Sequence, residues 1–143
     1  MRIEQEIAEA QRSMKMNVEE LNALSFAVIG AAMEVHKVKG PGLLESVYQK
    51  CLQKEFELRG IRAVREYRVA LEYKGDDLDE YLVLDFLVGG CLVVELKAVE
   101  QVLPIHKAQV LSYMKSINAP LGLLINFNEV TLKDGVHRLV LSK

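Results

Sequence analysis

The sequence predicts an α/β fold, with helices packed on the faces of a mixed sheet. Three observations carry this. Apolar residues recur at helical spacing up to about Gly60. From Val64 the pattern switches to strand alternation, and then to apolar runs on either side of Gly89-Gly90. After Pro104 a helical stretch separates these strands from two more. The order is helices, a three-stranded meander, helix, strand, strand. Half of the 143 residues are apolar, enough for one core, and no linker, repeat or low-complexity run divides the chain. One domain over residues 17–143 is expected, preceded by a helical extension over residues 1–16.

Taken in order, residues 1–16 are charged, with Ile3 and Ile7 at helical spacing, and read as a short helix. Asn17 is an N-cap with Glu20 in capping-box position. The helix that follows runs to about Val38, with Leu21, Leu24, Val28, Ile29, Ala32 and Val35 as its apolar stripe. His36 lies beside that stripe, where a hydrogen-bonded structural histidine is the ordinary reading. Gly40-Pro41-Gly42 breaks the helix. A second helix then runs to Arg59, with Gly60 as its C-cap. Its stripe is Leu44, Val47, Tyr48, Cys51, Leu52 and Phe56. Glu45 falls in its first turn, where it at least complements the helix dipole.

Val64 to Lys74 alternates, with Tyr67, Val69, Leu71 and Tyr73 inward and Glu66, Arg68 and Glu72 toward water. This is a half-buried strand near a sheet edge. Gly75 and the acidic run after it form the expected turn. Pro104 opens a helix at a first-turn position, ending near Asn118. His106, Gln109 and Tyr113 share one of its faces, and Val110, Met114 and Ile117 a neighbouring one. Leu121 to Phe127 reads as a fully buried strand. A last strand, Val136 to Leu141, follows Asp134-Gly135.

Composition narrows the function. Cys51 and Cys91 fall inside core elements, as buried reduced thiols of a cytosolic protein do. No cysteine pattern suited to metal is present. The N-terminus is charged, without an apolar signal core. No run approaches the roughly 18 apolar residues of a membrane span. The net charge of −2 does not advertise nucleic-acid binding. Lys50, Lys54, Arg59, Arg62, Arg65 and Arg68 cluster in sequence, with Lys107 and Lys115 later. A solvated face is the ordinary reading of such a cluster.

The stretch Asp85 to Lys97 carries the chemistry. Asp85 interrupts the first apolar strand, and Glu95 and Lys97 share a face on the second. Charges facing a core must neutralise one another or hold a cation. A two-residue Gly89-Gly90 loop puts Asp85 and Glu95 on opposite faces. A three-residue loop, Val88 to Gly90, pairs Asp85 with Val93 and makes Glu95 its diagonal neighbour. A shared site therefore requires an odd-length loop or a bulge. Magnesium takes oxygen ligands and keeps several waters. Asp85, Glu95 and the Leu96 carbonyl would supply three such ligands. Lys97 would orient or help deprotonate a water. A buried Asp/Glu/Lys ion network without metal is the alternative.

The Asp85, Glu95 and Lys97 arrangement resembles the PD-(D/E)XK nuclease superfamily, whose core is helix, three strands, helix, strand. Within it, Gly42-Leu43-Leu44-Glu45-Ser46-Val47-Tyr48 resembles the motif of the GxxExxY protein family. Glu34-Val35-His36, Glu95 to Glu100 and Leu123 to Phe127 add to the likeness, which spans about Leu24 to Leu141. Leu84 stands where the superfamily motif has proline. The resemblance implies a magnesium-dependent nuclease, with manganese as substitute, acting on nucleic acid and first on DNA. It implies that Glu45 joins the site, through water or a second metal, and that Gln109 and Tyr113 contact substrate. It leaves room for a homodimer or a larger repair or defence complex. The rival expectation is a non-catalytic domain that uses the same fold for nucleic-acid or protein interaction.

Overall fold

A computed structural model describes Ile3 and residues 16–141. Ile3 is helical; the rest of the extension expected before Met16 lies outside the described residues. Asn17 caps α1 (Val18–Lys39), its side chain accepting a hydrogen bond from the Glu20 amide at 2.8 Å. After the Gly40-Pro41-Gly42 break comes α2 (Glu45–Arg59), closed by Gly60 in the left-handed conformation. The chain then forms β1 (Ala63–Tyr73), β2 (Asp76–Val88) and β3 (Leu92–Lys97). The helix α3 (Pro104–Ile117) crosses to β4 (Leu121–Asn126), and a 3₁₀ turn over Leu132–Gly135 leads into β5 (Val136–Val140).

The sheet order is β1-β2-β3-β4-β5. All neighbours are antiparallel except β3 and β4, which the α3 crossover makes parallel. The sheet is therefore mixed, as the alternation of elements predicts. The helices cover both faces. Val28, Ala32 and Val35 of α1 and Tyr48, Leu52 and Phe56 of α2 pack on Phe86, Val94, Leu96 and Leu123. On the other face Val110 and Met114 of α3 pack on Leu87, Val93 and Leu124. Gly122 lets α3 approach closely, since a Cβ there would stand 2.7 Å from the Met114 sulfur.

Two local expectations are corrected. The turn between β1 and β2 is only Lys74-Gly75, both at positive φ, and the acidic run belongs to β2. Tyr73 does not face inward: it is 62% exposed. The cause is the sheet itself. Strand β2 is 13 residues long, yet it pairs with β3 only from Phe86 to Val88. The outer part of the β1–β2 hairpin thus projects beyond β3.

Candidate active site

The β2–β3 turn sets the site. The pairs Phe86–Val94, Leu87–Val93 and Val88–Leu92 leave Gly89, Gly90 and Cys91 as the loop, with both glycines at positive φ. The loop is odd in length, as a shared site requires, but it begins one residue later than expected. Continuing the register puts Asp85 directly opposite Glu95, where a loop over Val88 to Gly90 would have made them diagonal. A slip of two positions keeps every side chain on its face and changes only the neighbour.

The strands do not pair by backbone at this level. The Asp85 amide donates to Glu95 Oε1 at 2.8 Å, and the Leu96 amide donates to Asp85 Oδ2 at 2.8 Å. Each carboxylate fills the place of a strand carbonyl. On the other side the Glu66–Asp85 pair drops out of the β1–β2 ladder, and Glu66 takes a φ of 53°. A side chain in that region costs about 1 kcal/mol or more. The strain is stored where Asp85 turns toward the site.

Glu95 is buried, 7% exposed. Burial and then the neighbouring Asp85 push its carboxyl up to about 9, against the opposing effects of the Asp85 amide and Lys97. At neutral pH Glu95 therefore holds a proton. Lys97 stands two residues on, same-facing and half-buried. Among the described residues it makes no ion pair.

Glu45 and Gln49 come in from the first turns of α2, one turn apart on one face. Gln49 Nε2 donates to Asp85 Oδ1 at 3.0 Å. Glu45 is half-buried, and its carboxyl is raised by burial and by Asp85, with Lys97 opposing. Tyr48, one turn on from Glu45 on the neighbouring core-facing side of the helix, explains how α2 is aimed. Its hydroxyl donates to the Gly40 carbonyl at 2.6 Å and accepts from the Leu43 amide at 3.1 Å. Its ring stacks on Phe127 at 4.5 Å. The loop before Glu45 is thereby pinned, and Gly42 turns it at a φ of 94°.

Tyr113 of α3 closes another side. Its hydroxyl is raised by burial, then by Glu95 and Asp85, so it stands within the field of both carboxylates. Gln109, one turn earlier, is exposed, and no contact among the described residues ties it to the pair. His36 is the structural histidine expected: its Nε2 meets the Glu129 carbonyl at 2.7 Å.

Two residues of this region are not legible from sequence motifs. Gln49 has one signal, its i,i+4 relation to Glu45. Asn126 pairs with Lys97 across β3–β4 and is fully buried. Its Oδ1 accepts from the Val99 amide at 3.0 Å and its Nδ2 donates to the Val99 carbonyl at 2.9 Å. The Lys97 carbonyl accepts from the Phe127 amide at 2.8 Å. These bonds fix the backbone that carries Lys97. The signal for Asn126 is a lone amide closing an otherwise apolar run.

A model of the PD-(D/E)XK nuclease superfamily matches residues 22–139. The chain belongs to this superfamily. No curated protein and no solved structure matches it. The match spans every element from α1 to β5, and the mixed five-stranded sheet agrees with a PD-(D/E)XK nuclease-like fold. Membership points to nuclease activity and nucleic-acid binding, and PD-(D/E)XK nucleases generally use divalent metals. No helix among the described residues is long and apolar enough to cross a membrane.

The donor set fits a hard divalent cation. Two carboxylates face each other across β2 and β3, Glu95 buried, with no cation in ion-pair contact among the described residues. Among those residues no group of three or more His, Cys, Asp or Glu is placed to hold a metal. Magnesium suits a sparse set, because it keeps several waters and needs few protein oxygens.

Proposed function

We propose that this protein is a magnesium-dependent nuclease that hydrolyses phosphodiester bonds in DNA, and that it belongs to the GxxExxY group of its superfamily. The observation that carries the reading is the direct juxtaposition of Asp85 and Glu95, held by the Asp85 and Leu96 amides, beside a Lys97 that makes no ion pair among the described residues. Asp85 and Glu95 would hold the metal, with manganese an acceptable substitute. The Leu96 carbonyl would be the third ligand. A strand residue's N–H and C=O leave on the same side, and the Leu96 amide already points at Asp85. When bound, the metal supplies charge that offsets the developing negative charge on phosphate and lowers the pKa of a bound water.

The chain's own groups do the rest. Gln49 holds Asp85 in orientation. Glu45 hydrogen-bonds water at the edge of the site. Lys97 orients the attacking water and takes up its charge. Tyr113, with Gln109 on the same helix, contacts the nucleic acid. Residues 17–143 form the catalytic domain, with residues 1–16 as an extension. Free Cys51 and Cys91 suit a reducing, cytoplasmic setting.

The test is incubation of the purified protein with plasmid, single-stranded DNA and RNA, each with Mg²⁺ or Mn²⁺. A thermal shift accompanies it: metal raises the melting temperature of the wild type and not that of Asp85→Asn. Equal responses from both proteins would remove these carboxylates as ligands. Binding of nucleic acid without cleavage under any divalent metal would favour the interaction module instead.

A further inference from the structure

The outward face of α1 is built like an interface. Its middle is apolar and unpartnered among the described residues: Phe26 is 71% and Met33 51% exposed. A helix that is apolar nearly all round is normally buried on all sides. Glu19, Ala23, Phe26, Gly30, Met33 and Lys37 share this face, at spacings of three and four residues.

Their order is self-complementary. About the level of Val28 they fall into three symmetric pairs: Glu19 with Lys37, Ala23 with Met33, and Phe26 with Gly30. Each pair joins opposite charges or a large side chain with a small one. Two copies of α1 packed antiparallel about a two-fold axis make each of these pairs twice, since in an isologous contact residue i meets j and j meets i. Glu19 and Lys37 lie ~27 Å apart along the helix, so the ion pairs close both ends of an apolar seam. Among the described residues neither Glu19 nor Lys37 is ion-paired within its own chain.

There is also a receptacle for the ring. A groove of about 460 Å³ lies beside α1, lined by Gly30 and Met33 of the helix together with Arg59 and Val130 to Lys133. Gly30 adds no side chain to it, and the Arg59 guanidinium stands 3.5 Å from where a Cβ at Gly30 would be. Glu55 holds Arg59 at 2.7 Å. An aromatic ring entering over Gly30 meets a fixed cation at its side.

We infer that the outer face of α1 binds a second copy of this chain, antiparallel, with Phe26 of each copy seated over Gly30 of the other. Sedimentation of the full chain over roughly 1–300 µM then shows a monomer–dimer equilibrium, because one helix pair covers less than the roughly 800 Å² per partner of a standard interface. Phe26→Asp weakens the dimer by at least about thirtyfold, as loss of a central aromatic anchor does. Glu19→Lys and Lys37→Glu alone each weaken it by about tenfold, because each homodimer then carries like-charge pairs. An equimolar mixture of these two variants restores association to within about threefold of wild type, since both end pairs are again opposite in sign. The helix-dipole cost of each reversal is the same alone and mixed, so it cannot mimic the rescue. All three positions are exposed, and melting curves of the monomers check that each variant folds. A wild type that is monomeric throughout overturns the inference. So does a dimer indifferent to Phe26→Asp, or a mixture that associates no better than its components.

Discussion

Replacing Glu95 by Gln in the metal-free protein should stabilise it, and by an amount that depends on pH. The Glu95 carboxyl ionises near 4.5 when unfolded and at about 9 when folded. Below the lower value both states are protonated. Between the two, the folded state keeps a proton that the unfolded state releases, so stability falls as pH rises and levels off beyond about 9. At about pH 7.5, three units above the unfolded value, the loss is about 4 kcal/mol at most. Water at the half-buried Asp85 side screens part of this, leaving ~2–4 kcal/mol. Gln suffers no such loss. Its Oε1 can accept from the Asp85 amide as Glu95 does, and its Nε2 can donate to the Asp85 carboxylate. With EDTA present, calorimetry should find the two proteins equal near about pH 4.5 and Glu95→Gln melting ~6–12 °C higher near neutrality. A gap that does not change with pH, or a variant less stable at about pH 8, would refute the raised Glu95 carboxyl.

Lys97→Ala should leave the carboxylates in place and lower single-turnover cleavage by roughly a hundredfold, while nucleic-acid affinity measured in Ca²⁺ changes only modestly. Tyr113→Ala should do the reverse, weakening that affinity while residual cleavage keeps its metal dependence. Gln49→Ala frees one oxygen of Asp85 and should cost about tenfold in cleavage, with urea denaturation showing a stability change under about 1 kcal/mol. Gly135→Ala would drive a Cβ into the Asn126 carbonyl oxygen; denaturation should show a loss of about 2–3 kcal/mol, because a backbone atom cannot move aside as a side chain can.

The readable parts of this fold were those governed by local chemistry. Asn17, Gly60 and Pro104 mark helix ends because caps and first turns depend on a few neighbouring atoms. The face shared by Asp85 and Glu95 was readable as parity, since it asks only whether the loop is odd. The distance between them was not, because it depends on where pairing stops. Cys91, apolar and read as a strand residue, stays in the turn while Val88 remains in the ladder. Tyr73 was read inward from perfect alternation, yet alternation reports an inner face only where something covers it. Gln49 looked like an ordinary polar helix position, and only the approach of α2 to β2 gives it a partner. Asn126 lay hidden in a run read as wholly apolar.

The two carboxylates serve the sheet as well as the chemistry, and this changes what their presence in a sequence means. The Asp85 and Leu96 amides would be left without acceptors if either acid were replaced by an apolar residue, and a buried unsatisfied amide costs about 1–3 kcal/mol. A descendant of this chain that had abandoned catalysis would still be held to Asp85 and Glu95, or to their amides, by the need to keep its central strands joined. Lys97 is under no such obligation, since among the described residues its side chain makes no ion pair and holds no backbone amide, and only its charge reaches Glu45 and Glu95. On the proposed mechanism, losing the lysine would cost this chain its chemistry alone, whereas losing either acid would also loosen its central strands.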